Sequence, residues 1–161
     1  MPLYFAYGSN MDAAAMAGRC PRARLLGRGR LPRWRPFLMA SGFLSVAPDP
    51  RASVHGVLWD VPAGDVAALD RYEDIAHGLY LKRVMPVLRE PIGSARALVY
   101  VGADASRGAA ERDYLAGVVA AARSRALPEK YVACLEALGG PGELGASPSG
   151  FRAIKLESLR G

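Results

Sequence analysis

The residues best suited to chemistry lie in a glycine-containing loop near the start of the chain. Residues 4–10 read YFAYGSN, so an apolar strand runs directly into Gly8, Ser9 and Asn10. Glycine lets the backbone approach a ligand closely, and serine and asparagine add short polar side chains. If Asp12 caps a following helix, the loop lies at the positive end of that helix. The pattern predicts backbone N–H groups aimed at an anion or a developing oxyanion, and an ordinary strand–helix turn is the alternative.

A second candidate is a cluster of three acidic residues where a predicted helix ends. Asp70, Glu73 and Asp74 lie in the segment LDRYEDIAHGLY, residues 69–80. A helix C-terminus carries partial negative charge, and neighbouring acids raise one another's pKa values. A raised pKa suits a glutamate that acts as a general base near neutral pH. The alternative is that these acids simply face water.

Composition and charge indicate a single domain that folds on its own. The chain has 161 residues, of which 51% are hydrophobic, which is enough for one sizeable core. The net charge is +6, and residues 19–35 contain seven arginines and no acid. Such a run can bind nucleic acid, but aromatic residues for stacking are few and the chain has only three lysines. We expect solvated arginine-bearing strands and no nucleic-acid partner.

Several other classes of protein are not supported by the sequence. The apolar runs are too short to span a membrane and the start lacks the features of a signal peptide, so we expect a cytoplasmic protein without membrane contact. Cys20 and Cys134 stand far apart and form no CxxC motif, so both are expected to be reduced and structural. His55 and His77 are the only histidines, and we expect neither a metal nor another cofactor.

Apolar periodicity and turn residues predict an α+β fold. Strands are expected at 3–7, 23–31, 35–39, 43–46, 55–61, 80–88 and 97–101, and helices at 12–18, 66–72, 114–122 and 129–138. Segments 23–31 and 35–39 are predicted to pair, and residues 48–50 to form a turn. Because strands and helices do not alternate regularly, a small mixed β-barrel with inserted helices fits best. Residues 1–138 then form the domain, and residues 139–161 form a C-terminal tail.

Taken together, these motifs resemble the γ-glutamylcyclotransferase family. YFAYGSN, LDRYE at 69–73 and GLY at 78–80 carry the resemblance, and SVAPDP at 45–50 and LPEKY at 127–131 support it. The resemblance covers residues 1–138 and implies a mixed-barrel fold. It also implies an acyl transfer in which a γ-glutamyl amide cyclises to 5-oxoproline and releases an amine. The implied partner is a small γ-glutamyl substrate, bound by a monomer or a homodimer.

The resemblance also assigns site residues by position. Glu73 matches the catalytic glutamate of the family, and Tyr80 and Tyr114 match tyrosines that line or close the pocket. The implied substrate-holding loop comprises Tyr4, Phe5, Ala6, Tyr7, Gly8, Ser9 and Asn10. Two departures stand out, because Asp74 replaces a usual glycine and residues 110–111 read Ala-Glu instead of Pro-Ser.

Two other functions remain open at this point. Ser9 could serve as the nucleophile of an amidohydrolase, although it lacks a G-x-S-x-G elbow. Alternatively, the loop could bind a small carboxylate ligand without catalysis. The leaving amine of the cyclotransferase reaction is not identified by the sequence, and Arg35 and Lys82 are the basic candidates for the wall that would contact it.

Overall fold

The computed structural model describes residues 2–110 and 112–140. Within these residues, five strands and four α-helices follow one another along the chain. Their bounds are β1 Leu3–Ala6, α1 Ala13–Arg19, β2 Arg24–Leu38, β3 Leu44–Asp60, α2 Val66–Tyr72, β4 Tyr80–Arg89, β5 Ser94–Gly102, α3 Arg112–Ser124 and α4 Glu129–Ala137. The predicted tail lies outside the described residues from position 141 onwards.

The five strands close into a barrel in the order β1-β3-β2-β4-β5. All neighbouring pairs are antiparallel except β1 and β5, which pair in parallel where Tyr4 faces Leu98. Phe5, Leu58 and Val99 are among the buried side chains of the core. The predicted α+β class with a small mixed barrel is therefore confirmed.

Two long strands replace several short segments that the sequence predicted. Segments 23–31 and 35–39 do not pair with each other, because both belong to β2 and pair with β3. After Pro32 the strand continues through a bulge in which Arg33 adopts a φ of 68°. The turn predicted at 48–50 is also wrong, because these residues continue β3.

The helices lie close to their predicted positions. Asp12 caps α1, since its carboxylate accepts a hydrogen bond of 2.9 Å from the Ala15 N–H. Helix α2 spans the predicted residues, and α3 and α4 pack against each other after β5. None of the helices within the described residues combines the length and the apolar character of a membrane span.

Close contact between β1 and β3 generates a prediction about stability. A Cβ on Gly56 would lie 2.2 Å from the Ala6 carbonyl oxygen and 3.0 Å from the Phe5 ring. We expect Gly56→Ala to lower the free energy of unfolding by about 1–3 kcal/mol, because the strands must move apart. Urea denaturation followed by circular dichroism measures the change.

Gly117→Ala is the matched control, because a Cβ there meets nothing within 4 Å. This residue lies inside α3, so alanine should stabilise the protein by about 0.5–1 kcal/mol. Equal stability of the Gly56→Ala variant and the parent would show that β1 and β3 are less closely packed than described.

Candidate active site

The predicted loop leaves β1 and makes one short 3-10 turn before α1. The turn spans Ser9–Met11 and is closed by N–H groups of Met11 and Asp12, which donate to the carbonyls of Gly8 and Ser9 at 3.1 and 3.2 Å. The earlier N–H groups of the loop stand at the open start of this turn, where a helix offers its unpaired donors. The loop therefore runs from a strand into a turn that precedes a capped helix, as the sequence predicted, and its role in holding a ligand stays a prediction.

Glu73 is buried immediately after α2, with a relative exposure of 7%. Its N–H donates to the Leu69 carbonyl at 2.9 Å, so the last turn of the helix fixes its backbone. Asp74 is also buried, at 4%. The alternative in which the acidic cluster simply faces water is therefore wrong for these two residues.

The departure at Asp74 has a structural explanation. Asp74 adopts a left-handed conformation, with φ 54° and ψ 46°, which glycine adopts without strain and aspartate tolerates better than most residues. Its carbonyl accepts hydrogen bonds from the N–H groups of His77 and Leu79, and its carboxylate lies 2.5 Å from the His77 Nδ1. Asp74 thus reverses the chain between Glu73 and β4.

The Gly8 loop and the Glu73 carboxyl group meet in one small, partly open pocket. Its walls are largely tyrosine rings. The lining residues are Tyr4, Tyr7, Gly8, Ser9, Asn10, Leu44, Tyr72, Glu73, Tyr80, Tyr100 and Tyr114. The structure therefore brings together eight of the ten residues that the sequence singled out, and these come from distant parts of the chain.

Phe5 and Ala6 are the two remaining residues of that set. Both are fully buried in the hydrophobic core and are not among the residues that line the pocket. Side chains alternate between the two sides of a strand, so Phe5 lies on the opposite side of β1 from the pocket residue Tyr4. Their part in the site is to hold β1 against the barrel.

Tyr100 is a pocket residue that the sequence did not identify. It lies in the apolar strand β5, where nothing distinguishes it from a core residue. Its hydroxyl donates to the Asp70 carboxylate at 2.7 Å, and its ring packs edge-to-face on Tyr4 with centroids 5.7 Å apart. Tyr72, Glu73's neighbour on α2, also lines the pocket, and its hydroxyl lies 2.6 Å from the Ser9 Oγ.

Arg19, at the end of α1, contacts two residues that line the pocket. Its Nη1 donates to the Asn10 Oδ1 at 2.6 Å, and its guanidinium carbon lies 3.6 Å from the Tyr72 ring centroid. This is a cation–π contact between a partly buried arginine and a wall of the pocket. Arg19 appeared in the sequence only as one of seven clustered arginines, so its role could not be read from that run.

The two basic candidates for the leaving-group wall lie elsewhere. Lys82 donates to the Asp70 carboxylate at 2.8 Å, and the Tyr100 hydroxyl donates to the other oxygen of the same carboxylate. Arg35 lines a separate pocket beside Arg107 and Leu138. Neither is among the residues that line the tyrosine pocket. Of the residues at 110–111, Ala110 is buried and position 111 lies outside the described residues.

The sequence and the structure were also compared with those of known proteins. Residues 53–135, more than half of the chain, match the AIG2-like family. A solved structure of a gamma-glutamyl cyclotransferase superposes with a TM-score of 0.81 at 20% identity, covering 97% of this chain and 98% of the other. An uncharacterized protein from Homo sapiens gives 0.81 at 22% identity, with 96% and 97% covered. An AIG2-like protein from Mus musculus gives 0.52 at 21% identity, with 71% and 82% covered.

The structural matches define the fold of this chain, and the family match defines its family. A comparison with curated protein sequences finds no match. The closed barrel with its four helices has the γ-glutamylcyclotransferase fold. The chain belongs to the AIG2-like family.

The tyrosine-rich pocket generates a prediction about alkaline pH. Burial, reinforced by the charge of Glu73, raises the pKa of Tyr4 and of Tyr7 above the usual 10, and burial likewise raises the pKa of Tyr80, Tyr100 and Tyr114. A phenol with a raised folded-state pKa holds its proton longer in the folded protein than in the unfolded chain. Stability is therefore intact below pH 10 and falls above it, by about 1.4 kcal/mol per pH unit for each such group.

We expect these tyrosines to ionise together with unfolding above pH 10. A titration that records tyrosinate absorbance and circular dichroism on the same samples measures both events. Ionisation of all tyrosines near pH 10 in a protein that is still folded would contradict the buried placement of the pocket rings.

Proposed function

We propose that this protein converts a γ-glutamyl amide, from a γ-glutamyl amino acid or amine, to 5-oxoproline and a free amine. The observation that carries the proposal is the buried Glu73 carboxyl, which opens on a small pocket beside the Gly8 loop. Such a pocket suits a small polar substrate whose ends are held by hydrogen bonds. The fold shared with a gamma-glutamyl cyclotransferase supports this choice.

In this reaction the substrate supplies its own nucleophile. The α-amine attacks the γ-carbonyl carbon, a new C–N bond closes the five-membered ring, and the original amide C–N bond breaks. Holding the two reacting groups of one molecule in the correct geometry can supply about 7–11 kcal/mol of the barrier. The open N–H groups of the Gly8 loop are suited to fixing the carboxylate or the carbonyl of the substrate.

Glu73 is the group that moves protons. The α-amine binds as an ammonium and must lose a proton before it attacks, and Glu73 accepts that proton. The same carboxyl then donates the proton to the departing nitrogen. The attacking nitrogen loses a second proton when it becomes the ring N–H, and this proton passes through Glu73 to the released amine, which leaves as an ammonium, so the cycle ends with the carboxylate restored. With solution pKa values of about 8 for the amine and 4.3 for the glutamate, the first transfer is uphill by about 5 kcal/mol. Removal from water favours a neutral acid over a carboxylate, so it lowers the free-energy cost of this proton transfer.

The contacts of Ser9 argue against the amidohydrolase alternative. A serine nucleophile needs a general base within hydrogen-bond reach, most often an imidazole. The Ser9 Oγ instead lies 2.6 Å from the Tyr72 hydroxyl. His77 is paired with Asp74, and the His55 ring packs on Tyr131 at 4.9 Å between centroids.

Replacement of the proposed acid–base tests this function. Glu73→Gln keeps the shape of the side chain but cannot accept the ammonium proton, so we expect the turnover number to fall at least about 100-fold. The assay measures released 5-oxoproline from a panel of γ-glutamyl amino acids and γ-glutamyl amines. The member of the panel that reacts fastest identifies the leaving group.

Glu129→Gln is the matched control, because Glu129 is exposed at the start of α4. It should turn over substrate at the parent rate. Full activity of Glu73→Gln would overturn the assignment of Glu73. Ligand binding without any product from the parent protein would instead favour the non-catalytic binding module.

A further inference from the structure

The hydroxyl protons of the pocket tyrosines are unequally available. A phenol has one proton to donate, so each pocket tyrosine either gives that proton to the protein or keeps it for a ligand. Tyr7 donates to the Tyr100 carbonyl at 2.5 Å, and Tyr80 donates to the Leu44 carbonyl at 2.6 Å. Tyr100 donates to the Asp70 carboxylate. These three protons are used within the protein.

Tyr4 differs because its hydroxyl accepts a hydrogen bond whose direction is fixed. A guanidinium can only donate, so the Asn10 atom that faces Arg19 at 2.6 Å must be the amide oxygen. The amide nitrogen of Asn10 must then face Tyr4, and it lies 3.0 Å from the Tyr4 hydroxyl. Tyr4 therefore accepts from Asn10, and its own proton is left over. Among the described residues, none accepts a hydrogen bond from it.

We propose that the Tyr4 hydroxyl donates its hydrogen bond to the γ-carbonyl oxygen of the substrate, and that Arg19 is the positioning residue that keeps this proton available. The inference rests on the proposed function. It makes Tyr4 a catalytic residue, since a donor aimed at this oxygen is strengthened as negative charge develops there during attack. Arg19 acts only through Asn10.

The surroundings of Tyr4 suit this task. Its ring lines the pocket and is fixed edge-to-face against Tyr100, so the hydroxyl has little freedom to move. Burial and the nearby charge of Glu73 raise its pKa well above 10, so the hydroxyl remains protonated at physiological pH. Tyr4 and Glu73 line the same pocket, in which the amine would lose its proton.

Tyr114 is the competing donor. Its hydroxyl accepts the Leu44 N–H at 3.1 Å and lies beside Gly8, and none of the described residues accepts a bond from it. A backbone N–H can only donate, so the proton of Tyr114 is also left for a ligand, and only at Tyr4 does that availability depend on another side chain, Arg19. The experiment therefore compares the two tyrosines directly.

The test measures kcat and KM for Tyr4→Phe, Tyr114→Phe, Arg19→Met and the Tyr4→Phe/Arg19→Met double variant across pH. For Tyr4→Phe we expect kcat to fall about 100-fold, the size seen when one such donor is removed, with KM changed less than about threefold and an unchanged pH profile.

Arg19→Met should also lower kcat, because Asn10 can then turn its oxygen to Tyr4 and capture the proton. The double variant should be no slower than Tyr4→Phe. Arg19→Lys, which keeps a donor-only cation, should restore part of the loss.

Two variants outside the pocket control for the loss of a hydroxyl and of an arginine. Tyr131→Phe removes a buried hydroxyl on α4, and Arg22→Met removes an exposed arginine that pairs with Asp65. Both should keep the parent kcat. Circular dichroism and thermal unfolding confirm that each variant is folded.

Several results would overturn the inference. A parent-like kcat for Tyr4→Phe, or a 100-fold loss for Tyr114→Phe alone, would remove Tyr4 as the carbonyl donor. A shifted pH profile for Tyr4→Phe would show that its proton serves Glu73 instead. Additive losses in the double variant would remove Arg19 as its positioning residue. Absence of turnover in the parent protein would overturn the proposed function itself, and this inference with it.

Discussion

A carboxyl group held away from water at the end of a short helix is the constraint on which this structure depends. Burying Glu73 is costly unless polar neighbours compensate for the lost hydration. The left-handed residue Asp74 follows Glu73 and starts the 3-10 turn Ile75–His77 that leads from α2 to β4, so the backbone on both sides of the carboxyl is fixed. Strand β1 supplies the opposite wall, and the closed barrel fixes the distance between the two. The pocket is thus a consequence of the barrel and of one turn.

The tyrosine walls give this pocket an unusual chemistry. Rings exclude water and strengthen every electrostatic contact within the site, while their hydroxyls provide polar groups without further charge. Three of these six hydroxyls stabilise the walls by donating to backbone carbonyls or to Asp70. The direction of each hydrogen bond decides which proton is available to a ligand. Arg19 does not line the pocket, but it fixes the orientation of the Asn10 amide and so the direction of the hydrogen bond between Asn10 and Tyr4.

The sequence predicted the parts of the site that are local and missed those that depend on pairing across the barrel. The loop at Gly8, the cap at Asp12 and helix α2 follow from short-range patterns, and the structure has all three. The long strands β2 and β3 were missed because Pro32 and residues 48–50 are typical of turns, whereas bulges and paired neighbours keep these strands continuous. Tyr100 joins the pocket only because β5 pairs with β1, which no local pattern reveals.

The proposed function depends on attack at the γ-carbonyl by the substrate's own amine and not by water. Turnover of a reactive γ-glutamyl amide in water enriched with heavy oxygen, followed by mass spectrometry of the products, distinguishes the two. Intramolecular attack predicts 5-oxoproline without heavy oxygen, together with one equivalent of free amine. Glutamate carrying heavy oxygen in its γ-carboxyl would show that water is the acceptor and would contradict the account.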